Sequence, residues 1–267
     1  RRGVSHAFNT GWRESRGEFI ARMDADDLAA PCRLQRQLEL FRADPSLGIT
    51  GARVDFFASD GVGQGNRVYR DWLNSLVSPG DIHRAMFIES PIPNPTAMFR
   101  RDVLEQLNGY RDVEWPEDYD LYLRADVAGV RMGTPDESLL RWRDHPARLT
   151  RNDPRYAMAQ FQRAKIHYFV RSRLPDRDLL IWGAGPTGKL TFDLLADEGV
   201  DVAGFIDVHP RRIGGHKRGK PVSGVALAAD TDAFILVAVG ARNARSEIRS
   251  FLERHGRVDG QHFLFVA

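Results

Sequence analysis

Three acidic residues stand close together in the segment FIARMDADDLAAP, at Asp24, Asp26 and Asp27. Carboxylates repel one another and are costly to bury, so their grouping after an apolar run needs a physical reason. Two carboxylates one residue apart can share a hard divalent cation such as Mg²⁺ or Mn²⁺, and such a cation can bridge a diphosphate. Alternatively, Asp26 or Asp27 caps the helix that follows, or all three are solvated turn residues.

A glycine-rich turn, IWGAGPTGKL, is the second feature that could take part in ligand binding or chemistry. Gly183, Gly185 and Gly188 form a G-x-G-x-x-G pattern between a predicted strand and a predicted helix, and Asp207 ends the next strand in GFID. This context is typical of a dinucleotide-binding turn, in which the pyrophosphate meets a helix N-terminus and the acidic residue accepts from ribose hydroxyls. The alternative is a turn whose glycines serve only tight strand-to-helix packing.

The composition limits the classes of function. The 267 residues, of which 42% are hydrophobic, suffice for one or two domains with buried cores, and the net charge of +2 indicates no general nucleic-acid-binding role. The single cysteine, Cys32, excludes an internal disulfide framework and a cysteine-based zinc cluster, and it suits a reducing, cytoplasmic compartment. No apolar run reaches the roughly 18 residues that a membrane-spanning helix needs.

Strand and helix signals alternate along the chain and predict an α/β fold. We expect a first domain over residues 1–173 and a small Rossmann-like parallel-sheet domain over 174–267. A helix opened by Pro31 is expected to bury Leu34, Leu38 and Phe41 on one face. In the first domain we predict strands over 18–24, 48–57, 96–100 and 138–145, a mobile loop over 58–66, and further helices after Ser78 and over 101–109, 116–129 and 153–175. In the second we predict strand, turn, helix and strand over 179–207, a strand over 233–240, a helix over 244–256 and a strand over 262–266.

The region around the acidic cluster resembles the middle of the family 2 glycosyltransferases, inverting enzymes with a nucleotide-sugar-binding α/β fold of the glycosyltransferase A type. A later stretch, NPTAMFRRDVLEQLNGYRDVEWPEDYDLYLRADVAG, resembles the acceptor-side half of that family, and LLRWRDHPARLT resembles its closing strand and loop. The resemblance covers residues 1–168. It implies a truncated fold, because the family's N-terminal strand and base-binding loop have no counterpart here, and it leaves the activity of the chain by itself open. The matching features in the first region are Asn9 and Gly11 in A-x-N-x-G, Gly17-Glu18, the D-A-D-D cluster, Pro31, Arg33-Leu34 and Gly51.

The resemblance implies roles for individual residues. Asp24 and Asp26 are expected to contact the ribose of the donor and the Mn²⁺ or Mg²⁺ on its diphosphate. Asp118, in the pair Glu117-Asp118, matches the catalytic base that takes the proton of the acceptor hydroxyl. Because this pair starts a helix, its dipole is expected to keep Asp118 ionised and weakly basic; the alternative is that both acids only charge the first helical turn.

Further residues are expected at the rim of this site. Asn9 is assigned to the donor side. Arg143 and His145 are expected to face the diphosphate or to complete the metal shell, unless they lie on a surface loop. Trp115 and Tyr119 flank the base and could stack on an acceptor sugar, although such aromatics are more often packing residues.

The second domain resembles the small nucleotide- or sugar-nucleotide-binding domain that precedes the hexapeptide-repeat sugar O-acyltransferases. The similarity lies in GAGPTG, GFID, VAVGARNAR and the G-x-P-V pattern of residues 219–222, and it implies a bound nucleotide but no acyl transfer, because no hexapeptide repeats follow. An oxidoreductase is disfavoured, because the residues after Leu174 leave no room for a substrate domain.

Two hypotheses for the function remain. The first is a metal-dependent, inverting transfer of a hexose-type sugar from a nucleotide-sugar donor to a glycan or lipid-linked hydroxyl acceptor, in surface polysaccharide or glycan assembly. This hypothesis leaves open a peripheral contact with the inner face of a membrane. The second is a nucleotide-binding regulatory protein that uses the C-terminal module beside an inactive transferase-like half.

Overall fold

The computed structural model describes residues 3–59, 61–241 and 243–267, so Asp60 of the expected loop and Arg242 of the VAVGARNAR motif lie outside the described residues. The chain divides into two compact units, and both mix helices with strands, as the α/β prediction requires. One unit comprises Arg1–Met86 and Ser90–Gln160, and the other comprises Phe87–Glu89 and Phe161–Ala267.

The first unit contains two small sheets. One has the strand order β1-β5-β3-β6, in which only the β3–β6 pair is parallel, and the other has the order β2-β7-β4, in which β4 and β7 are parallel. Its strands are β1 (Phe19–Ala21), β2 (Leu28–Ala29), β3 (Leu47–Thr50), β4 (Arg53–Phe57), β5 (Met98–Arg100), β6 (Arg131–Gly133) and β7 (Ser138–Arg143). Its helices are α1 (Gly3–Glu14), α2 (Arg33–Ala43), α3 (Gln64–Asn74), α4 (Pro79–Ala85), α5 (Arg101–Leu107), α6 (Glu117–Val127) and α7 (Leu149–Asn152).

The single strand predicted over 48–57 is wrong, because the chain leaves one sheet and enters the other within it. The change occurs at Gly51 and Ala52, both buried. A side chain at Gly51 would come within 2.9 Å of Ile92. The backbone groups that leave the sheet are satisfied by side chains: Gln37 donates to the Gly51 carbonyl oxygen at 2.9 Å, and the Ala52 N–H donates to the Thr96 hydroxyl at 3.0 Å. Such satisfaction is what allows a strand to break inside a core.

Helix α2 also differs from the expected pattern. Its buried residues are Arg33, Gln37 and Phe41, whereas Leu34 is exposed. A helix normally buries its apolar face, but here Gln37 donates to the backbone at the sheet change, and Arg33 donates to Gln37 and to the Arg22 carbonyl. Helix α4 agrees with its prediction, since Ser78 caps it through a reciprocal pair of hydrogen bonds with Asp81.

The second unit is built on one six-stranded sheet in the order β10-β11-β9-β8-β12-β13, with parallel pairing throughout except between β10 and β11. The parallel strands therefore follow the 3-2-1-4-5 order of doubly wound nucleotide-binding folds. Its strands are β8 (Leu179–Trp182), β9 (Gly204–Ile206), β10 (His216–Lys217), β11 (Lys220–Ser223), β12 (Phe234–Val237) and β13 (Phe263–Phe265). Its helices are α9 (Pro186–Asp197), α10 (Ala226–Ala229) and α11 (Ala244–Arg254), together with most of α8 (Met158–Ser172).

Helix α8 moves the boundary between the units. The helix predicted over 153–175 is shorter in the structure, because Pro154–Tyr156 form a separate 3₁₀ turn. The sequence prediction places this helix in the first domain. In the structure α8 packs within the second unit: Phe169 contacts Phe234 at a ring-centroid distance of 6.0 Å, and Gln162 donates to Thr191 at 2.9 Å. Among the described residues, no helix is long and apolar enough to cross a bilayer.

Candidate active site

The acidic cluster follows β1 and is held by basic groups. An oxygen of Asp24 accepts from Arg22 Nη2 at 2.8 Å, and Asp26 Oδ2 lies 3.0 Å from His145 Nε2. Asp27 is only 5% exposed, and its Oδ1 accepts from the Arg143 N–H at 2.7 Å. None of these carboxylates caps α2, which begins with Cys32 at its N-cap position. The helix-capping alternative is therefore excluded by the structure.

Two buried polar atoms in this region have no partner among the described residues, Oδ2 of Asp27 and Nη1 of Arg22. Burial raises the pKa of Asp27 to about 6, and the charges of Asp24 and Asp26 add to the effect, while the Arg143 N–H opposes it. Unsatisfied buried atoms are costly and concentrate where a ligand or ion completes the bonding.

The donor set can be tested for its fit to a divalent cation. Within the described part of the chain no group of three or more acidic or histidine side chains could hold a metal ion. Mg²⁺ and Mn²⁺, however, are commonly held by one or two protein ligands with substrate phosphates and water in the other positions. Neighbouring ligands on such an ion, with bonds of about 2.1 Å, are about 3 Å apart, which matches the separation of Asp26 Oδ2 and His145 Nε2. The pair thus fits a cation that shares its shell with a diphosphate.

The Glu117-Asp118 pair opens α6, directly after Pro116. Glu117 is 1% exposed, and its two carboxylate oxygens accept from the Tyr156 hydroxyl at 3.0 and 2.8 Å. Asp118 Oδ1 accepts from the Tyr119 N–H at 2.8 Å. The two acids therefore differ: one is enclosed and held by a tyrosine, and the other is partly exposed at the helix start.

The electrostatics of Asp118 differ from the expectation of a weak base. Burial raises the pKa of Asp118 to about 7, and the neighbouring charge of Glu117 raises it further, while the Tyr119 N–H and Arg22 act in the opposite direction. The helix N-terminus would lower the pKa of Asp118, but desolvation and the like charge of Glu117 have the larger effect. A carboxylate with a pKa near neutrality is well matched to general base chemistry.

Arg22 links the two predicted groups of acids. It forms the ion pair with Asp24, and its charge lowers the pKa of Asp118. The same charge acts on the buried hydroxyls of Tyr110 and Tyr122, which both contact Asn94. The sequence analysis did not single out Arg22, although its position two residues before the first aspartate is a signal that could have drawn attention to it.

The remaining residues predicted for this site have mixed placements. Arg143 Nε donates to the Asp26 carbonyl at 2.8 Å, so Arg143 and His145 both contact the acidic cluster, although Arg143 is exposed. Asn9 has a different role, since its amide accepts from the Tyr110 N–H and donates to the Tyr110 carbonyl, which fixes α1 to that segment. Tyr119 is fully buried and donates to the Met86 carbonyl, so it cannot stack on a sugar.

The glycine-rich turn of the second unit joins β8 to α9. Gly183 has a φ of +117°, which side chains rarely adopt, and Gly185 is the N-cap residue of α9. A side chain at Gly188 would lie 1.6 Å from the Gly183 carbonyl oxygen, so this glycine permits the close helix–strand approach. These are three of the roles that glycines take in nucleotide-binding turns, and the third of them is purely a packing role.

Asp207 is committed to protein partners. Its Oδ2 accepts from the Ala184 N–H at 2.8 Å and from Arg212 at 2.9 Å, and its Oδ1 accepts from the His209 N–H at 2.8 Å. Burial would raise the pKa of Asp207, but these hydrogen bonds together outweigh it and lower the pKa. Oδ1 accepts one hydrogen bond and keeps a further lone pair, so the predicted contact of Asp207 with a ribose stays a prediction.

A cleft of about 300 Å³ lies at this turn. It opens at the carboxyl ends of β8 and β12, where the strand order reverses, and this is where open α/β sheets bind ligands. The guanidinium of Arg212 contributes positive charge near the N-terminus of α9. The lining residues are Trp182, Gly183, Gly185, Pro186, Thr187, Asp207, Val208, Arg212, Ala238, Val239, Gly240, Ala244, Glu247 and Ile248.

Comparison with known proteins finds a family match for part of the chain. Residues 1–107 match the model of the family described as glycosyl transferase family 2. An amylovoran biosynthesis glycosyltransferase of Erwinia amylovora is 28% identical over 53% of this chain and 50% of its own length. An O-antigen biosynthesis glycosyltransferase of Escherichia coli is 27% identical over 66% of this chain and 65% of its own. The chain thus spans between half and two thirds of these relatives. Among solved structures, a mannosyltransferase of Pyrobaculum calidifontis in complex with GDP-Man and Mn²⁺ is 21% identical, with a TM-score of 0.41, over 64% of this chain and 44% of its own.

Proposed function

We propose, on the match of residues 1–107 to the model of glycosyl transferase family 2, that the protein transfers a sugar from a nucleotide-sugar donor to a hydroxyl acceptor with inversion at the anomeric carbon. The observation that carries the proposal is that Arg22 interacts both with the acidic cluster and with the proposed base. One guanidinium pairs with Asp24 and acts electrostatically on Asp118, so a donor held at the cluster is close to the group that would activate the acceptor.

The chemical step follows from these residues. Asp118 takes the proton of the acceptor hydroxyl while that oxygen forms a bond to the anomeric carbon. The bond from the anomeric carbon to the diphosphate breaks with its electron pair, and the nucleoside diphosphate leaves. Because attack and departure occur on opposite faces, the configuration inverts. Arg22 and Arg143 place positive charge beside the cluster, where negative charge develops on the leaving group.

We assign Asp26 and His145 to a divalent cation, with Asp24 on the donor side. A bound cation would supply Lewis-acid stabilisation to the diphosphate. The unpartnered Oδ2 of Asp27 and Nη1 of Arg22 support a ligand at this position, because both atoms gain a partner only when something else enters. We extend the proposal to acceptors of surface polysaccharide or O-antigen type, glycan or lipid-linked, in line with the relatives' names.

Substitution of the base tests the transfer. With the whole protein and a panel of UDP-, GDP- and dTDP-sugars, Asp118→Asn is expected to lower kcat by about 10²–10⁴-fold and to leave donor affinity, measured by calorimetry, within about twofold. Asp112→Asn is the matched control, because it makes the same change at an exposed position. Equal activity of Asp118→Asn and the wild type would refute the assignment of the base.

A test of the cation uses the same assay. Asp26→Asn and His145→Gln are each expected to weaken Mn²⁺-dependent binding of the matching nucleoside diphosphate by about tenfold or more. Nucleoside diphosphate binding that is unaffected by EDTA and by both substitutions would contradict the cation site.

A second candidate function rests on the cleft of the second unit, and we propose it as the alternative. In that case the protein is a nucleotide-binding regulator, and the turn at Gly185 with Arg212 holds the phosphate. The two candidates predict opposite losses. Nucleotide binding that is independent of metal, survives Asp26→Asn and is abolished by Gly185→Val would favour the second; binding with the reverse pattern would favour the first.

A further inference from the structure

Residues 144–156 form a segment, here called the strap, that continues from β7 and ends at Tyr156. At its start, the Asp144 N–H donates to the Phe57 carbonyl at 2.8 Å, and the next residue, His145, contacts Asp26. Asp144 also accepts from Asn66 at 2.6 Å and from Arg151 at 2.7 Å. The strap is therefore anchored beside the acidic cluster.

The other end of the strap lies at the Glu117-Asp118 pair. Tyr156 stands on the 3₁₀ turn that Asp153 caps through the Arg155 N–H. Its hydroxyl donates to both oxygens of Glu117, at 2.8 and 3.0 Å. Within the described chain, Tyr156 is the only hydrogen-bond donor to this carboxylate, which is 1% exposed.

A buried carboxylate with a single hydrogen-bond donor is held in its orientation by that donor. The charge of Glu117 in turn faces Asp118, the next residue along α6. The other groups that act on this pair are Arg22 from the end of β1, Arg155 from the strap, and the phenols of Tyr110 and Tyr122. These groups act through their charge or polarity, whereas Tyr156 acts through a direct hydrogen bond to Glu117.

We propose that Tyr156 is a positioning residue of the transfer reaction: by holding the Glu117 carboxylate in place beside Asp118, it sets the pH at which the base becomes active. The inference rests on the proposed function of Asp118, but its physical content is the coupling of three side chains, which exists without substrate. Tyr156 acts on the base through Glu117, to which its hydroxyl is hydrogen-bonded.

The coupling makes a directional prediction. Tyr156→Phe removes the hydrogen bonds that hold the Glu117 carboxylate in place, so we expect the repulsion that raises the pKa of Asp118 to decrease. The acid limb of the pH profile of kcat/KM is then expected to move to lower pH by about 1 unit. Glu117→Gln removes the charge directly and is expected to move the limb in the same direction.

The experiment is a double-mutant cycle with two readouts. The first is the pH profile of kcat/KM for Tyr156→Phe, Glu117→Gln and the double variant. The second is the ¹³C NMR titration of the Asp118 carboxyl in the whole protein without substrate. Tyr168→Phe, which removes a tyrosine hydroxyl in the second unit, is the control for hydroxyl loss.

The proposal predicts that both single variants lower the titration midpoint of Asp118 and that the double variant lowers it no further. An unchanged midpoint in Tyr156→Phe, or full additivity in the double variant, would overturn it. If the wild type transfers no sugar from any donor tested, the proposed function fails, yet the NMR titration still decides the coupling. If Tyr156→Phe does not fold, Glu117→Gln tests whether this charge acts on Asp118 at all, and an unchanged midpoint there refutes the proposal.

Discussion

Lys165 is buried in the second unit and should make the stability of that unit depend on alkaline pH. Its Nζ donates to the Ile88 carbonyl at 2.7 Å and to the Val266 carbonyl at 3.2 Å. Burial lowers the pKa of Lys165 from 10.5 to about 8, and the charge of Arg245 adds to the effect, while Glu89 opposes it. A neutral amine retains two hydrogens, so both hydrogen bonds survive deprotonation.

The sign follows from proton binding in the two states. Between pH 8 and 10.5 the unfolded chain carries a proton on Lys165 that the folded chain lacks, so stability rises with pH. One pKa unit corresponds to about 1.4 kcal/mol. Integration between the two pKa values gives a gain in the free energy of unfolding of about 1.4 kcal/mol from pH 7 to pH 9, relative to a variant without this amine.

The comparison is urea unfolding of the wild type and Lys165→Met at pH 7, 8 and 9. Of the five tryptophans only Trp182 lies in the second unit, so ¹⁹F NMR of protein labelled with 5-fluorotryptophan follows this unit through one resonance. Lys217→Met, on β10, controls for the loss of a lysine side chain. The free energy of unfolding of the wild type, minus that of Lys165→Met, should become more positive as pH rises. A difference that is the same at all three pH values would refute the reasoning.

One substitution in each unit tests its buried interactions. Gly188→Ala should destabilise the second unit by about 2–3 kcal/mol in the same ¹⁹F assay, because the added side chain would meet the Gly183 carbonyl oxygen at 1.6 Å. Gly185→Ala is the control. The nearest neighbour of its side chain would be 3.7 Å away, so it should change stability by less than about 1 kcal/mol. Equal stability of the two variants would contradict the close approach. Arg124→Met should destabilise the first unit by about 3–5 kcal/mol in thermal unfolding, because it leaves the fully buried carboxylate of Asp120 without its ion pair; a loss below about 1 kcal/mol would show that this pair is dispensable.

Local signals predicted much of the fold. The cap at Ser78 and the strand–turn–helix around Gly185 could be predicted because their information lies within a few neighbouring residues. The sheet change at Gly51 could not, since it depends on Gln37 and Thr96, which are distant in sequence.

Some features of the candidate site could likewise be predicted from the sequence, and others could not. The residue types of Asp26 and Asp118 indicated chemistry, and Arg143 and His145 lie at the acidic cluster, where their roles stay predictions. The hydrogen bond from Tyr156 to Glu117 joins residues far apart in the chain, so no spacing rule reveals it. Burial also reversed the expected effect of the helix start on Asp118, and burial is a property of the fold rather than of the motif.

The strand order of the first unit has a consequence for synthesis on the ribosome. Strand β3 is fully buried and lies between β5 and β6, both of which are made after it. At a synthesis rate of roughly 5–20 residues per second, β3 emerges several seconds before either partner. During that interval its apolar side chains and both hydrogen-bonding edges are unpaired, a condition that favours association with other chains. The nascent protein should therefore depend on chaperone binding at this strand until β5 has been made.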